Sequence, residues 1–255
     1  MQYIALVTIC LLTSAPYAAP VASKYLSDED LAKCPKDAGQ AGECIKIIMN
    51  ELIPRMRLGD PELNIDPYDP LVINRLSFQY TVGPISGKVS VRHVKIYGFG
   101  EHKVDKVNVK VNGDKVKVRV VSNMPTMNLL GEYKSELNVN SLQLKPKGIF
   151  NLTLFDVELR VITSGDIYTK DDHQYLLVND IEVKPKIRDL IAKADGFFAD
   201  PELDEIAVNI ANTYWRDIYG IILPETRQSW APILLRLINQ AMLHVPIDHF
   251  IQPSQ

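Results

Sequence analysis

The spacing of apolar residues changes several times along this chain, and each change predicts a different element. Residues 3–12 (YIALVTICLL) form one unbroken apolar run. Over 43–58, Ile45, Ile48, Met49 and Leu52 recur every three or four positions, which is the stripe of an amphipathic helix. Pro54 is expected to kink or end that helix, and Gly59, Asp60 and Pro61 to close it. The Pro-rich stretch to Pro70 reads as an extended connector. From 71 to 183 the period falls to two, the spacing of strands with one buried face.

The clearest strand pair can be registered by arithmetic. Val107, Val109 and Val111 alternate with polar residues, and after Gly113 so do Val116, Val118 and Val120. A two-residue loop at Asn112-Gly113 opposes Val109 to Val116, and one at Gly113-Asp114 opposes Val111 to Val116. A three-residue loop sets Val109 against Lys117 and destroys the apolar face. Further alternating runs are Leu76, Phe78 and Tyr80; Val89 and Val91; Tyr133, Leu137 and Val139; and Phe150, Leu152 and Leu154. After Leu154 the phase slips to Phe155, Val157, Leu159 and Val161, so either a bulge re-aims the strand or both its faces are covered.

Helical spacing returns at Asp200-Pro201-Glu202, with Asp at the N-cap and Pro in the first turn. Leu203, Ile206, Ala207, Ile210, Tyr214 and Ile218 follow at that spacing, and Leu234, Leu235, Leu237, Ile238, Ala241 and Met242 continue it. Pro224 and Pro232 interrupt the stretch, predicting one kinked helix or two in series. Strands with one apolar face followed by a long apolar helix define an α+β fold in which a curved antiparallel sheet wraps the helix.

Composition adds a compartment. The run at 3–12 is too short to span a bilayer and small residues follow it, as in a secretory signal peptide cut between 15 and 22. Residues 1–19 are read as that peptide and 20–255 as a single domain. Cys10 would leave with the peptide, so Cys34 and Cys44 remain as an even pair in an oxidising compartment, expected to form one disulfide contributing ~2–3 kcal/mol. Hydrophobic residues make up 46% of the chain, enough for a substantial core, and the net charge of −3 comes with no basic tract. Neither nucleic acid nor an anionic membrane is favoured as a partner, and no further apolar run approaches the ~20 residues of a membrane span.

Candidate chemistry is sparse. The nucleophile elbow, zincin, P-loop and dinucleotide-binding motifs are missing, and His93, His102, His173, His244 and His249 share no ligand spacing. Asp171-Asp172 and Asp28-Glu29-Asp30 read as solvated or capping charge. No catalytic residue, metal or cofactor is expected. Asn151-Leu152-Thr153 is an N-glycosylation sequon, and a used sequon would turn Asn151 outward and Phe150, Leu152 and Leu154 inward.

Several of these features together resemble the takeout and juvenile hormone-binding protein family of insects. They are the leader, the Cys34/Cys44 pair, the Ile45–Leu52 helix with Pro54, the Gly59-Asp60-Pro61-Glu62-Leu63 turn, Asp69-Pro70-Leu71, and the late stretch with Trp215 and Pro224. The resemblance covers nearly the whole mature chain. It implies an elongated fold in which a strongly curved sheet wraps a long C-terminal helix around an apolar tunnel, and a role in carrying juvenile hormone-like terpenoids, fatty acids or other lipophiles.

The tunnel lining is expected from Phe78, Tyr80, Val91, Tyr133, Leu137, Phe150, Leu152 and Leu154 on the strands and Ile206, Ile210, Tyr214 and Ile218 on the helix. Burying about fifteen carbons of a ligand gains ~12 kcal/mol gross, against association costs of at least ~4 kcal/mol. The alternative is a secreted signalling protein with a packed interior, whose protein partner binds the Lys-rich face of Lys103, Lys106, Lys110, Lys115, Lys117 and Arg119.

Overall fold

The computed structural model describes residues 24–27, 29–30, 33–34, 40–82 and 85–247. The leader expected at 1–19 lies outside them. Helix α1 spans Ala41–Met56 and runs through Pro54 for two residues before Gly59, at φ 73°, turns the chain. Its N-terminal half is tied down by the Cys34–Cys44 disulfide, packed with Leu26 and Ile48. Asp30, buried beside it, accepts hydrogen bonds from Arg55, Ser27 and Lys33. The Arg55 guanidinium foremost, with the Ser27 N–H and Lys33, holds the Asp30 carboxyl well below the usual carboxylate range.

Seven strands follow: β1 (Leu71–Val82), β2 (Ile85–Tyr97), β3 (Lys103–Asn112), β4 (Lys115–Val139), β5 (Leu142–Leu144), β6 (Lys147–Lys170) and β7 (His173–Ala194). They make one antiparallel sheet in the order β1-β2-β4-β6-β7. The 25-residue β4 is its spine, pairing with β3 along its first half, with β2 along its second, with β6 from Lys115 to Lys134 and with β5 at its end. The β3–β4 hairpin takes the Gly113-Asp114 loop, with Val111 opposite Val116 and Gly113 at φ 59°.

The phase slip on β6 has a physical origin that neither sequence alternative described. Strands β4, β6 and β7 keep constant register there, yet the row Pro125–Asp156–Arg188 breaks the pairing and Asp156 sits at φ 46°. On each strand the core-facing set advances by three residues instead of two, from Met124 to Met127, Leu154 to Val157 and Ile187 to Leu190, and all six share one cluster. The same step carries β1 from Ile73 to Leu76 and β2 from Val91 to Val94, past His93 at φ 49°. Because neighbouring strands step together, the apolar face stays continuous while the sheet curls.

Helices α2 (Pro201–Thr213) and α3 (Trp215–Met242) close the trough. Asp200 caps α2 by accepting from the Glu202 and Leu203 amides. The break between the helices falls at Tyr214, not at the prolines, and just before it the Thr213 hydroxyl donates to the Asn209 carbonyl at 2.9 Å. Pro224 and Pro232 lie inside α3, and the carbonyls they leave unpaired belong to Gly220 and Gln228, both exposed to water.

Asparagine carboxamides fasten helices to the sheet edges. Asn50 of α1 exchanges both hydrogen bonds with the Val104 backbone on β3, at 2.9 and 2.8 Å. Asn212 of α2 does so with Ala192 on β7, at 2.7 and 2.9 Å, and Asn239 of α3 with Val178, at 2.9 and 2.8 Å. A carboxamide presents a donor and an acceptor much as a peptide group does, so each asparagine stands in for a neighbouring strand. Arg216 and Tyr219 add donors to the carbonyls of Arg188 and Pro185, and on the opposite edge Ser229 donates to the Ser77 carbonyl of β1.

Candidate ligand-binding interior

The helix pair makes its main-chain approaches to the edge strands β1 and β7. A helix that bridges two edges of a curled sheet leaves its central strands facing a space filled only as far as side chains reach across. Toward one end those side chains close it. Val116, Leu176, Val178 and Ile247 form a buried cluster with Leu235, Ile238 and Met242 of α3, and Met124, Met127, Leu154 and Val157 form another with β2 and β7 residues.

Further along, the register brings together residues that the sequence left scattered. Tyr80, Gly87 and Leu137 form one cross-strand row, Leu76, Val91 and Tyr133 another, and Phe150 and Leu152 sit beside Gly131 and Leu129. Phe78, Tyr80, Val91, Tyr133, Leu137, Phe150 and Leu152 thus share one contiguous, half-buried inner patch, in which Val91 and Phe150 pack with Ile233, Leu234 and Leu237 of α3 and Leu152 against the Met124 cluster. Leu154, expected with them, is 8% exposed within the packed Met124 cluster.

Small residues shape this patch. A Cβ on Gly87 would stand 2.8 Å from Tyr80 Cζ, and one on Gly131 would stand 3.0 Å from Phe150 Cε1, so each ring lies across the strand next to it. Burial pushes the Tyr80 hydroxyl up and raises Tyr133 to about 12, keeping both phenols neutral. The Tyr133 hydroxyl donates to the Asp195 carbonyl at 2.9 Å, where the chain crosses over Gly148.

None of the inward positions of β1, β2, β4, β6 and β7 among the described residues carries Asp, Glu, Lys, Arg or His. The charges alternate outward instead, including Lys110 and Lys117, which oppose each other on the exposed face of the β3–β4 hairpin. The other cations of that face, Lys103, Lys106, Lys115 and Arg119, are exposed too, with Lys115 paired to Asp166 at 2.6 Å.

The helical half of the expected lining is corrected. Ile206, Ile210, Tyr214 and Ile218 are 53, 54, 57 and 37% exposed, forming a row turned away from the sheet. The helices carry two apolar rows, and spacing alone cannot choose between them. The choice is made by the free edge of β7, which needs Asn212, Arg216 and Tyr219 opposite it and so turns Trp215, 6% exposed, inward. The signal available in the sequence was Asn212 itself, a carboxamide among apolar residues on a helix that must cover an edge strand.

Among the described residues no group of His, Cys, Asp and Glu could hold a metal ion, and no helix is long and apolar enough to cross a membrane. The strands form a half-barrel closed by helices along its open edges, with an uncharged inner face. The chain belongs to the haemolymph juvenile hormone binding protein family, whose model matches residues 6–252. The crystal structure of Epiphyas postvittana Takeout 1 shares the fold, with a TM-score of 0.67 at 15% identity over 81% of this chain and 94% of that one. The crystal structure of a lipopolysaccharide binding protein aligns over 79% of this chain and 38% of that one at 10% identity, and its TM-score of 0.34 supports no argument. No curated protein matches the chain.

Proposed function

We propose that this protein is an exported carrier that holds one small, uncharged lipophile between the inner sheet face and the α2–α3 helices. The observation that carries the reading is the inner patch around Tyr80, Tyr133 and Phe150: apolar, free of charged side chains and only half closed. An apolar concavity with a few phenol and hydroxyl groups favours terpenoids, esters and long-chain alcohols. A free fatty acid fits less well, because its carboxylate would meet no inward-facing cation on the strands and would have to be protonated to enter. The leader expected at 1–19 and the Cys34–Cys44 disulfide both support export.

The test is native mass spectrometry of the protein collected from the medium of expressing insect cells. A stoichiometric, extractable neutral molecule is expected, and after delipidation the protein should take up a fluorescent terpenoid or ester at one site. Protein that emerges empty and takes up neither probe would refute the carrier reading.

A further inference from the structure

We propose that Asn151 carries an N-linked glycan whose first sugar seats in a depression on the outer face of the sheet. The inference is separate from ligand carriage and rests only on the export reading. Asn151 belongs to the sequon Asn151-Leu152-Thr153 and stands near the start of β6, opposite Leu130 and Lys193. Its neighbours Phe150 and Leu152 face the trough, so Asn151 faces away from it.

The face it joins is hollowed. The bulge at His93 shifts the β2–β4 register between Arg92 and Lys95, and beside it lies a depression of about 590 Å³ whose lining includes Lys95, Leu130, Glu132, Ile149, Asn151 and Lys193. Two of these are apolar and open to water, Leu130 at 36% and Ile149 at 60% exposed, with Val72 and Ile191 exposed on the same face nearby. A sugar ring offers an aliphatic face to such residues and hydroxyls to the surrounding Lys and Glu. Among the described residues the Asn151 Oδ1 is covered and accepts no hydrogen bond.

The fold also dictates when the sugar is added. The Thr153 hydroxyl, which the transfer reaction requires, donates to Asn128 Oδ1 across the β4–β6 pair at 2.9 Å. Once the strands pair, that hydroxyl is engaged, so attachment precedes pairing and occurs on the nascent chain.

The experiment is peptide mass mapping of the protein secreted from insect cells. The tryptic peptide 148–160 is expected to be almost wholly glycosylated, with Asn151 converted to Asp on enzymatic release. Asn151→Gln and Thr153→Ala should both lose the glycan while Thr153→Ser keeps it, so misfolding of one variant does not decide the outcome. Removing the glycan from the native protein should lengthen its retention on a hydrophobic-interaction column, and the double substitution Leu130→Thr, Ile149→Thr should cancel that shift. Lipid uptake should be unchanged by deglycosylation. Secreted protein with bare Asn151 would overturn the proposal, unchanged retention after release would overturn the seat, and a chain that never leaves the cell would overturn the export reading and this one with it.

Discussion

Replacing Asn212 by Leu tests how the helices are held over the trough, because one side chain makes both hydrogen bonds to Ala192 on the free edge of β7. Leu has nearly the same shape but neither donor nor acceptor. The variant therefore loses the bonds at 2.7 and 2.9 Å and leaves the Ala192 N–H and C=O without them. At about 1 kcal/mol for each neutral bond, the local cost is ~2 kcal/mol, which is about a 30-fold change in a local opening equilibrium. The direct assay is hydrogen exchange at the Ala192 amide, which should quicken by about that factor while amides within the β4–β6 ladder exchange as before. Asn212→Asp keeps an acceptor for the Ala192 N–H but loses the donor to its carbonyl, so it should fall between wild type and Leu at neutral pH. An Ala192 amide exchanging equally slowly in wild type and Asn212→Leu would refute the claim that the carboxamide substitutes for a strand.

Two further predictions concern the inner wall and pH. Gly131→Val places a branched side chain where a Cβ already stands 3.0 Å from the Phe150 ring and 3.1 Å from the Arg92 carbonyl oxygen. It should cost about 1–3 kcal/mol and lower ligand affinity, read by thermal unfolding and probe titration; undiminished uptake would show that the Phe150 ring does not border the site. His102 is largely buried, and desolvation lowers its pKa despite the hydrogen bond its Nδ1 makes to the Phe99 carbonyl. The unfolded chain then binds the proton more tightly than the folded one, so stability should fall as pH drops below about 6.5, the ordinary histidine value. His102→Gln should flatten that slope between pH 7.5 and 5.5, and identical slopes would remove His102 as its source.

Period-two and period-3.6 patterning with the Asp200-Pro201 cap was enough to read the α+β class, the strand runs and the helix start, and the even Cys34/Cys44 pair was enough to read the disulfide, because each depends on neighbours a few residues apart. The β3–β4 register was readable to two alternatives, and the structure chose the Gly113-Asp114 loop. Three-residue steps such as Met124 to Met127 were legible only as a slip in phase. Their cause is one row crossing β4, β6 and β7, formed by residues distant in sequence. The rotation of α2 was not legible, since Ile206, Ile210 and Tyr214 make as good an apolar row as the one that faces the sheet. What decides between the rows is the hydrogen-bonding demand of Ala192 and Arg188 on β7, a tertiary fact that periodicity does not contain. The strand residues of the candidate lining fall on one face because alternation fixes which residues share a face. That Tyr80 and Phe150 pack close against Gly87 and Gly131 emerges only once the strands are paired.

The central claim is that the inner face accepts neutral molecules because it holds no charge of its own. It is tested most directly by titrating the delipidated protein with a long-chain fatty acid and with its methyl ester at pH 7, then repeating the acid titration at pH 5. Neutralising a carboxyl of ordinary pKa near 4.3 at pH 7 costs roughly 3.7 kcal/mol, so a dry, uncharged site predicts ester binding tighter by up to a few hundred-fold, with the gap narrowing as pH falls. Equal affinity for acid and ester at both pH values, or tighter binding of the acid at pH 7, would mean that a cation meets the ligand inside and would contradict the account.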